Sequence, residues 1–314
     1  MYYPYLRGRQ FELIALREFA LNHGDNNNVI PIIEPVKKTF NSLKLAIPKL
    51  IEGNVKFALI LNPQVGEIGK EGIKIITDEL EDELAEKSKW IPSLIIINNY
   101  IEISLLIDKF KYQDIMLICS DQTDSSNIDF INLISKQQVK YIVSRENKTL
   151  RRKLKDKGKD LIRLDDNFRA QKRNSDYLPL AEEKFSEEHI FYKEDGYNGF
   201  SDYTILESDF KEGGAAPYAV AIHLSYQKTN EEVWVKHFTS ITNDDRTNIQ
   251  GKFAEAVEKA VTFLDGKNIV NEATNELRKY YNDKKYPGLG MVKKISIKNH
   301  IELINGIIDP VDKL

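Results

Sequence analysis

The chain has 314 residues, of which 41% are hydrophobic and 30% charged, and its formal net charge is −3. This composition supports a sizeable core and argues against disorder, and the mixed charges argue against a general binder of nucleic acid or membrane surfaces. The lone cysteine, Cys119, excludes an internal disulfide and a multi-cysteine zinc site. With no signal peptide and no apolar run near the roughly 20 residues of a membrane span, the sequence predicts a cytoplasmic protein without membrane contact.

The first part of the chain alternates between helical and strand-like patterns. Residues 1–28 form a predicted N-terminal helical segment, because "FELIALREFALNHG" has apolar residues at helical spacing and ends at a glycine. The next stretch, "VIPIIEPV", is a β-branched apolar run typical of a buried parallel strand. The alternation continues through the predicted strands "KFALILN", "SLIIIN", "DIMLICSD", "VKYIVSR" and "DLIRLD", with helical patterns between them.

Two later stretches complete a predicted set of eight strands, namely "HIFYKE" at 189–194 and "YAVAIHLSYQ" at 218–227. The spacing predicts an α/β fold, a (β/α)8 TIM-barrel-like parallel barrel over residues 29–240. An open doubly wound sheet is the structural alternative. The run "EVWVKHFTS" is predicted to pair with the eighth strand as a hairpin, and residues 241–314 form a helical C-terminal extension of one barrel-like domain.

Polar residues stand at or near the ends of the predicted strands, where the loops of a parallel barrel meet. A functional site at the barrel mouth is one interpretation, and ordinary solvation of strand ends is the other. Asp165 also has a helix-capping interpretation, and His223 has that of a hydrogen-bonded core residue. The candidates at the strand ends are Glu34, Asn62, Asn98, Asp121, Arg145, Asp165, Asp202 and His223.

The candidates divide by chemistry. Carboxylates are the ligands that Mg²⁺ or Mn²⁺ prefer, so we assign metal binding to Asp121 and Asp165 and catalysis to Glu34 and Asp202, with His223 as the acid. Guanidinium groups bind phosphate oxygens, and amides donate and accept hydrogen bonds. The predicted ligand-binding residues are Arg9, Asn62, Asn98, Arg145 and Arg169. The spacings match no diagnostic metal motif, and no phosphate-binding glycine loop or nucleophile elbow is present.

Several stretches together resemble a family of bacterial and phage proteins known as beta protein, or beta family protein. They are "YYPYLRGRQFELIALRE", "IPIIEPVK", "LNPQVGE", "GFSDYTIL", "GGAAPYAVAIHLSY" and "YPGLGMVKKISIKNHIEL", which span residues 2 to about 303. The resemblance implies a barrel-like intracellular protein, often encoded on mobile or defence-associated DNA. It adds weight to Arg9, Glu12, Glu34 and Asp202 but carries no catalytic assignment.

Two functions of different classes follow. The first is a component of a phage-defence or mobile-element module that binds a ligand, or a protein partner from the same operon, at the barrel mouth. The second is a divalent-metal-dependent hydrolase, phosphodiesterase- or nuclease-like, that acts on a nucleotide or nucleic acid. Convergence of the carboxylates within a few ångströms would favour the hydrolase.

Overall fold

A computed structural model describes residues 1–25, 27–69, 72–110, 112–213 and 216–308. Its strands run in chain order as β1 (Tyr5–Leu6), β2 (Ile32–Ile33), β3 (Phe57–Ile60), β4 (Trp90–Ile96), β5 (Ile115–Cys119), β6 (Val139–Ser144), β7 (Asp160–Asp165), β8 (Glu182–Ser186), β9 (Gly199–Asp202), β10 (Ala221–Gln227) and β11 (Val233–Thr239). Strands β1 to β7 and β9 form one eight-stranded parallel sheet in that order. The expected α/β barrel is confirmed.

Residues before β1 join the two edges of this sheet. Tyr2 forms parallel bridges with both Val29, before β2, and Phe200, in β9. The amide of Tyr3 donates to the carbonyl of Phe200 at 2.9 Å, and the amide of Phe200 donates to the carbonyl of Met1 at 3.2 Å. These bonds close the sheet into a barrel.

Helices alternate with the barrel strands and then continue beyond them. They are α1 (Gln10–Asn22), α2 (Asn41–Glu52), α3 (Gly72–Glu79), α4 (Tyr100–Phe110), α5 (Ile128–Ile134), α6 (Lys148–Leu154), α7 (Tyr177–Leu180), α8 (Glu188–Phe191), α9 (Ile249–Gly266), α10 (Glu272–Asn282) and α11 (Leu289–Ile308). The last three confirm the expected C-terminal helices. No helix in the part of the chain that the structure describes is long and apolar enough to cross a membrane.

Alternation along the strands separates two apolar layers. Ile32, Ile60 and Leu164 belong to the cluster that fills the barrel, whereas their neighbours Ile33 and Leu59 belong to the cluster between the barrel wall and the helices. Strands buried on both faces read as nearly continuous apolar runs, which explains why most of them can be recognised in the sequence. The same alternation decides which polar residues at the strand ends face the barrel mouth.

Two of the expected barrel strands are wrong, and the first barrel strand lies where a helical segment is expected. Residues 5–6 form the first barrel strand, within the expected N-terminal helical segment, so "VIPIIEPV" contributes the second. Most of "HIFYKE" lies in α8 and the turn after it, and the short segment Gly199–Asp202 pairs with β7 instead. The expected eighth strand, β10, lies outside the barrel in an antiparallel sheet with β11 and β8.

The pattern of β10 explains the last correction. Its first four residues alternate, with Ile222 and Leu224 buried and Ala221 and His223 half-buried, before the buried Ser225 and Tyr226 end the alternation. Ile222 and Leu224 pack against α9 to α11 in a third apolar cluster. The expected hairpin with "EVWVKHFTS" is confirmed, with His223 directly opposite His237.

Candidate functional site

Glu34 lies at the mouth of the barrel and is fully buried. One carboxylate oxygen accepts the Tyr5 hydroxyl at 2.7 Å and also pairs with the Arg7 guanidinium. The other accepts the amide of Gln64 at 2.9 Å. The flanking prolines of "PIIEP" therefore hold a carboxylate whose oxygens are both occupied by the protein.

The mouth is crowded by further groups around Tyr203. Its ring lies 4.9 Å from that of Tyr5, and the Arg7 guanidinium carbon lies 5.5 Å from its centre. Burial raises the pKa of the Tyr203 hydroxyl to about 12, and the charges of Arg7, Arg145 and Asp166 act on it as well. The structure thus brings Glu34 and Arg145 to the same region, together with residues that the sequence analysis did not select.

Asp202 lies on the opposite face of the barrel wall from Glu34. It shares that outward face with Phe200, and its carboxylate accepts the Tyr2 hydroxyl and the Thr204 amide, both at 2.8 Å. His300 on α11 places its Nε2 3.4 Å from the same carboxylate. Asp202 is only 3% exposed, so this apolar turn carries an acidic residue to satisfy buried polar groups.

Asp165 is the register partner of Asp202 in the neighbouring strand and shares its outward face. Its carboxylate lies 2.9 Å from Nε of Arg163, whose Nη1 lies 2.9 Å from Glu188. Burial raises the pKa of Asp165, and it raises that of Glu188 to about 7. This acidic group is therefore separated from Glu34 by the barrel wall.

The two asparagines among the candidates hold the backbone. The amide of Asn62 donates to the carbonyl of Ile95 at 2.9 Å and accepts its N–H at 2.7 Å, which ties the end of β3 to β4. Asn98 adopts a left-handed conformation with φ 82° and accepts the Tyr100 hydroxyl at 2.9 Å. Both sets of contacts shape the loops that follow the strands.

The remaining charged candidates are exposed. Arg145 and Asp121 form an ion pair at 3.0 Å, with 51% and 72% of their side chains accessible. Arg169 is 80% exposed and lies 4.0 Å from Glu183. Within the described ranges, no group of three or more histidine, cysteine, aspartate or glutamate residues is arranged to hold a metal ion. The four candidate carboxylates do not form one cluster.

A cleft of about 310 Å³ opens beside the barrel mouth. It lies between the turn after β1, the segment after β9, strand β10 and the start of α11. Its apolar wall includes Phe168, Ile205, Phe210 and Leu289. An adjoining groove of about 850 Å³ shares Arg9, Glu12 and Lys293 with it, so these three side chains stand where the two spaces meet.

Two cations face this cleft without a carboxylate partner. Arg9 stacks over Phe210, with its guanidinium carbon 4.5 Å from the ring centre, and donates to the carbonyl of Lys211. Lys293 is half-buried, and burial lowers the pKa of its ammonium group. In the described part of the chain, no carboxylate lies within 4.0 Å of either cation and the Lys293 ammonium group makes no hydrogen bond, although the charges of Glu12 and Glu207 act on it.

Glu12 contributes a carboxylate oxygen where the cleft meets the adjoining groove. It is 1% exposed, and its Oε2 accepts the amide of Arg7 at 2.6 Å near the start of α1. Its Oε1 is buried with no hydrogen-bond partner among the described residues. Burial raises its pKa, and the charges of Lys293 and Arg9 oppose that effect.

A pair of histidines forms another part of the cleft. His223 lines it, and the Nδ1 atoms of His223 and His237 lie 2.8 Å apart. Behind them, Nε2 of His237 lies 3.4 Å from Glu183 on β8. Burial lowers the pKa of His223 to about 3 and that of His237 to about 4. Both rings are therefore neutral near pH 7, a state in which His223 cannot serve as an imidazolium acid.

No protein-family model matches the chain, and a search of curated proteins returned no match.

Lys293, which lines the cleft, and Glu183, which lies behind the histidine pair, are two charged residues that the sequence analysis did not identify. Lys293 shares a stripe of α11 with Leu289 and Ser296, at the spacing of one helix face, and all three line the cleft. A lysine on a stripe that also contains apolar and small residues is a usable signal. Glu183 has no comparable signal, because its partner His237 is 54 residues away along the chain.

Proposed function

We propose that the chain is the ligand-binding component of a phage-defence or mobile-element module, and that its cleft binds a small organic anion. The module is supported by the family resemblance alone. The binding function is supported by one observation above all, the half-buried ammonium group of Lys293, which lines the cleft, forms no ion pair with the described residues, and keeps a lowered pKa although the charges of Glu12 and Glu207 act against that shift.

The energetics of burial favour an anionic ligand. Removing an ammonium group from water is unfavourable unless an opposite charge compensates it, and the lowered pKa of Lys293 reflects that cost. A carboxylate or phosphate between Lys293 and Arg9 would add to the compensation that Glu12 and Glu207 give, and Arg9 would add paired donors. A volume of about 310 Å³ lies at the lower end for ligand pockets, which favours a small molecule.

The alternative, a metal-dependent hydrolase, has less support. It needs several carboxylates within a few ångströms of one another and free to bind a metal. Glu34 is occupied by Arg7 and Tyr5, and Asp202 is occupied by Tyr2 on the other side of the barrel wall. Arg7 also donates to the carbonyl of Ser208 at 2.5 Å, so the segment after β9 is fixed to the mouth.

We also propose that the module works in the cytoplasm, together with a protein partner from the same operon. The single cysteine supports this location. Cys119 is buried in the barrel wall, and burial raises the pKa of its thiol to about 12, which disfavours thiol chemistry.

A thermal-melting screen tests the binding function. The protein is treated with EDTA and then heated with mono- and dicarboxylates, nucleoside monophosphates, inorganic phosphate, Mg²⁺ or Mn²⁺. A ligand that binds only the native state raises the melting temperature, because it stabilises that state by about 2.7 kcal/mol at 100 times Kd.

The variant Lys293→Gln separates the two functions. We expect an organic anion to raise the melting temperature of the wild type and of the exposed control Lys87→Gln, but not that of Lys293→Gln. An equal rise in Lys293→Gln, or no rise with any anion, contradicts the proposal. A metal-dependent rise that Glu34→Gln removes would instead support the hydrolase.

A further inference from the structure

A chain of three side chains leads from the second sheet to the cleft. Glu183 on β8, His237 on β11 and His223 on β10 follow one another at 3.4 Å and 2.8 Å. The rings are held by Tyr177, whose ring centre lies 4.6 Å from that of His223 and 4.5 Å from that of His237. His223 is the end of the chain that lines the cleft.

The contacts decide where the protons lie. Nε2 of His237 and Oε1 of Glu183 are buried and lie 3.4 Å apart, and neither has a hydrogen-bond partner within the described ranges, so the natural pairing is between them. A carboxylate can only accept, so Nε2 of His237 carries a proton and its Nδ1 holds a lone pair. Nδ1 of His223 must then donate to that lone pair, since the two Nδ1 atoms are 2.8 Å apart.

This order leaves Nε2 of His223 without a proton. That atom has no protein partner among the described residues, and the ring lines the cleft, so the lone pair is open to a ligand. The reverse order requires a protonated Glu183 that donates to His237. Burial raises the pKa of Glu183, whereas the Arg169 guanidinium, 4.0 Å away, favours its ionised form.

We infer that Glu183 and His237 hold His223 as a hydrogen-bond acceptor in the cleft wall, and that the ligand is an organic anion that also carries a hydroxyl or N–H donor. This inference rests on the proposed binding function, because it assigns the second end of the same ligand. Lys293 and Arg9 bind the anionic end, and His223 accepts from the donor.

The proton positions are measured by ¹⁵N NMR of protein labelled at histidine, without any ligand. His223 signals are assigned with His223→Gln, and those of His237 with His237→Gln; if neither variant folds, the two rings are assigned in the wild type by linking each ring to its own backbone in the sequential assignment. We expect His223 protonated at Nδ1 and bare at Nε2 at pH 7, and His237 protonated at Nε2. A proton on Nε2 of His223 overturns the inference, whether the ring is neutral or charged.

The ligand class is tested with malate and succinate, which differ by one hydroxyl group. Isothermal titration should give malate at least tenfold tighter binding to the wild type, and His223→Phe should remove that preference. Lys293→Gln should weaken both probes alike. Equal binding of malate and succinate by the wild type overturns the assignment of a donor group on the ligand. If the wild type binds neither probe while Nε2 of His223 carries no proton, the proposed binding function is contradicted but the acceptor role of His223 is not.

Discussion

The carboxylate–histidine chain that begins at Asp202 and the one that begins at Glu183 differ in access. In one, Asp202 faces His300, whose Nδ1 lies 2.7 Å from the hydroxyl of Ser225. All three residues are at most 3% exposed, between the barrel wall and α11. The other chain runs from Glu183 through His237 to His223, which opens on the cleft.

This difference in access shows that residue types alone do not define a functional site. Asp202, His300 and Ser225 include the groups of a catalytic triad, yet each is enclosed: Asp202 accepts the Tyr2 hydroxyl, and Nδ1 of His300 is hydrogen-bonded to the Ser225 hydroxyl. His223 has one nitrogen satisfied and the other open to a cleft. We therefore assign a structural role to the closed chain and a binding role to the open one.

The largest expected effect comes from breaking the closed chain. Asp202→Ala removes the acceptor of the buried Tyr2 hydroxyl and of the Thr204 amide. We expect a loss of about 2–4 kcal/mol in the free energy of unfolding, measured by urea denaturation. The exposed control Asp209→Ala should stay within about 0.5 kcal/mol. An Asp202→Ala protein as stable as the wild type would contradict the structural role.

The second-largest effect tests whether Glu34 and Arg7 at the barrel mouth also have a structural role. Glu34→Ala and Arg7→Ala should each lower the free energy of unfolding by about 2–3 kcal/mol, because each leaves a buried partner unpaired. The double variant should cost about 1–2 kcal/mol less than the sum of the single variants. Strict additivity in a denaturation cycle would show that the two side chains do not act as a pair.

The open chain should dominate the response to acid. The folded pKa of His223, about 3, lies below its ordinary value near 6.5, so the unfolded chain binds the proton first. The loss of folding stability caused by this difference is absent above pH 6.5 and grows as pH falls from there towards 3. Between pH 7 and pH 5, we expect the wild type to lose about 1–2 kcal/mol more stability than His223→Phe.

Urea denaturation at three pH values measures that difference. Glu188, whose raised pKa of about 7 stabilises the folded state as pH falls, acts in both proteins and cancels in the comparison. A His223→Phe protein with the same acid response as the wild type would show that His223 is not held neutral by its surroundings.

The smallest effect belongs to the exposed pair at the rim. Asp121→Asn removes an ion pair with Arg145 whose side chains are 72% and 51% accessible. We expect the free energy of unfolding to change by less than about 0.5 kcal/mol, and anion binding in the cleft to stay the same. A larger loss of stability in denaturation would show that this pair has a structural role like that of Asp202.

The barrel could be predicted from the sequence because its central strands are continuous apolar runs. The shortest strand segments could not. Residues 5–6 and 199–202 are too short to show a pattern, and both depend on partners far along the chain. Strand β10 has a longer apolar pattern than either segment. It nevertheless pairs with β11 in a second sheet and packs against α9 to α11.

The prediction of the site residues was limited by the two-residue period of a strand. Asp165 and Asp202 are the last residues of β7 and β9, and they face outward, whereas their successors Asp166 and Tyr203 reach the mouth. A register error of one residue moves a side chain to the other face of the sheet. Glu34 faces the mouth because Ile32, two residues before it, faces the barrel interior, whereas Ile33 faces the helices.

A crystal structure with the tightest anion of the melting screen tests the central claim most directly. We expect the carboxylate or phosphate of the anion within ion-pair distance of Nζ of Lys293, beside Arg9, with a donor group of the anion at Nε2 of His223. The same anion bound at another basic surface with the cleft unchanged, for example beside Arg151 and Arg152 below the barrel, would contradict it.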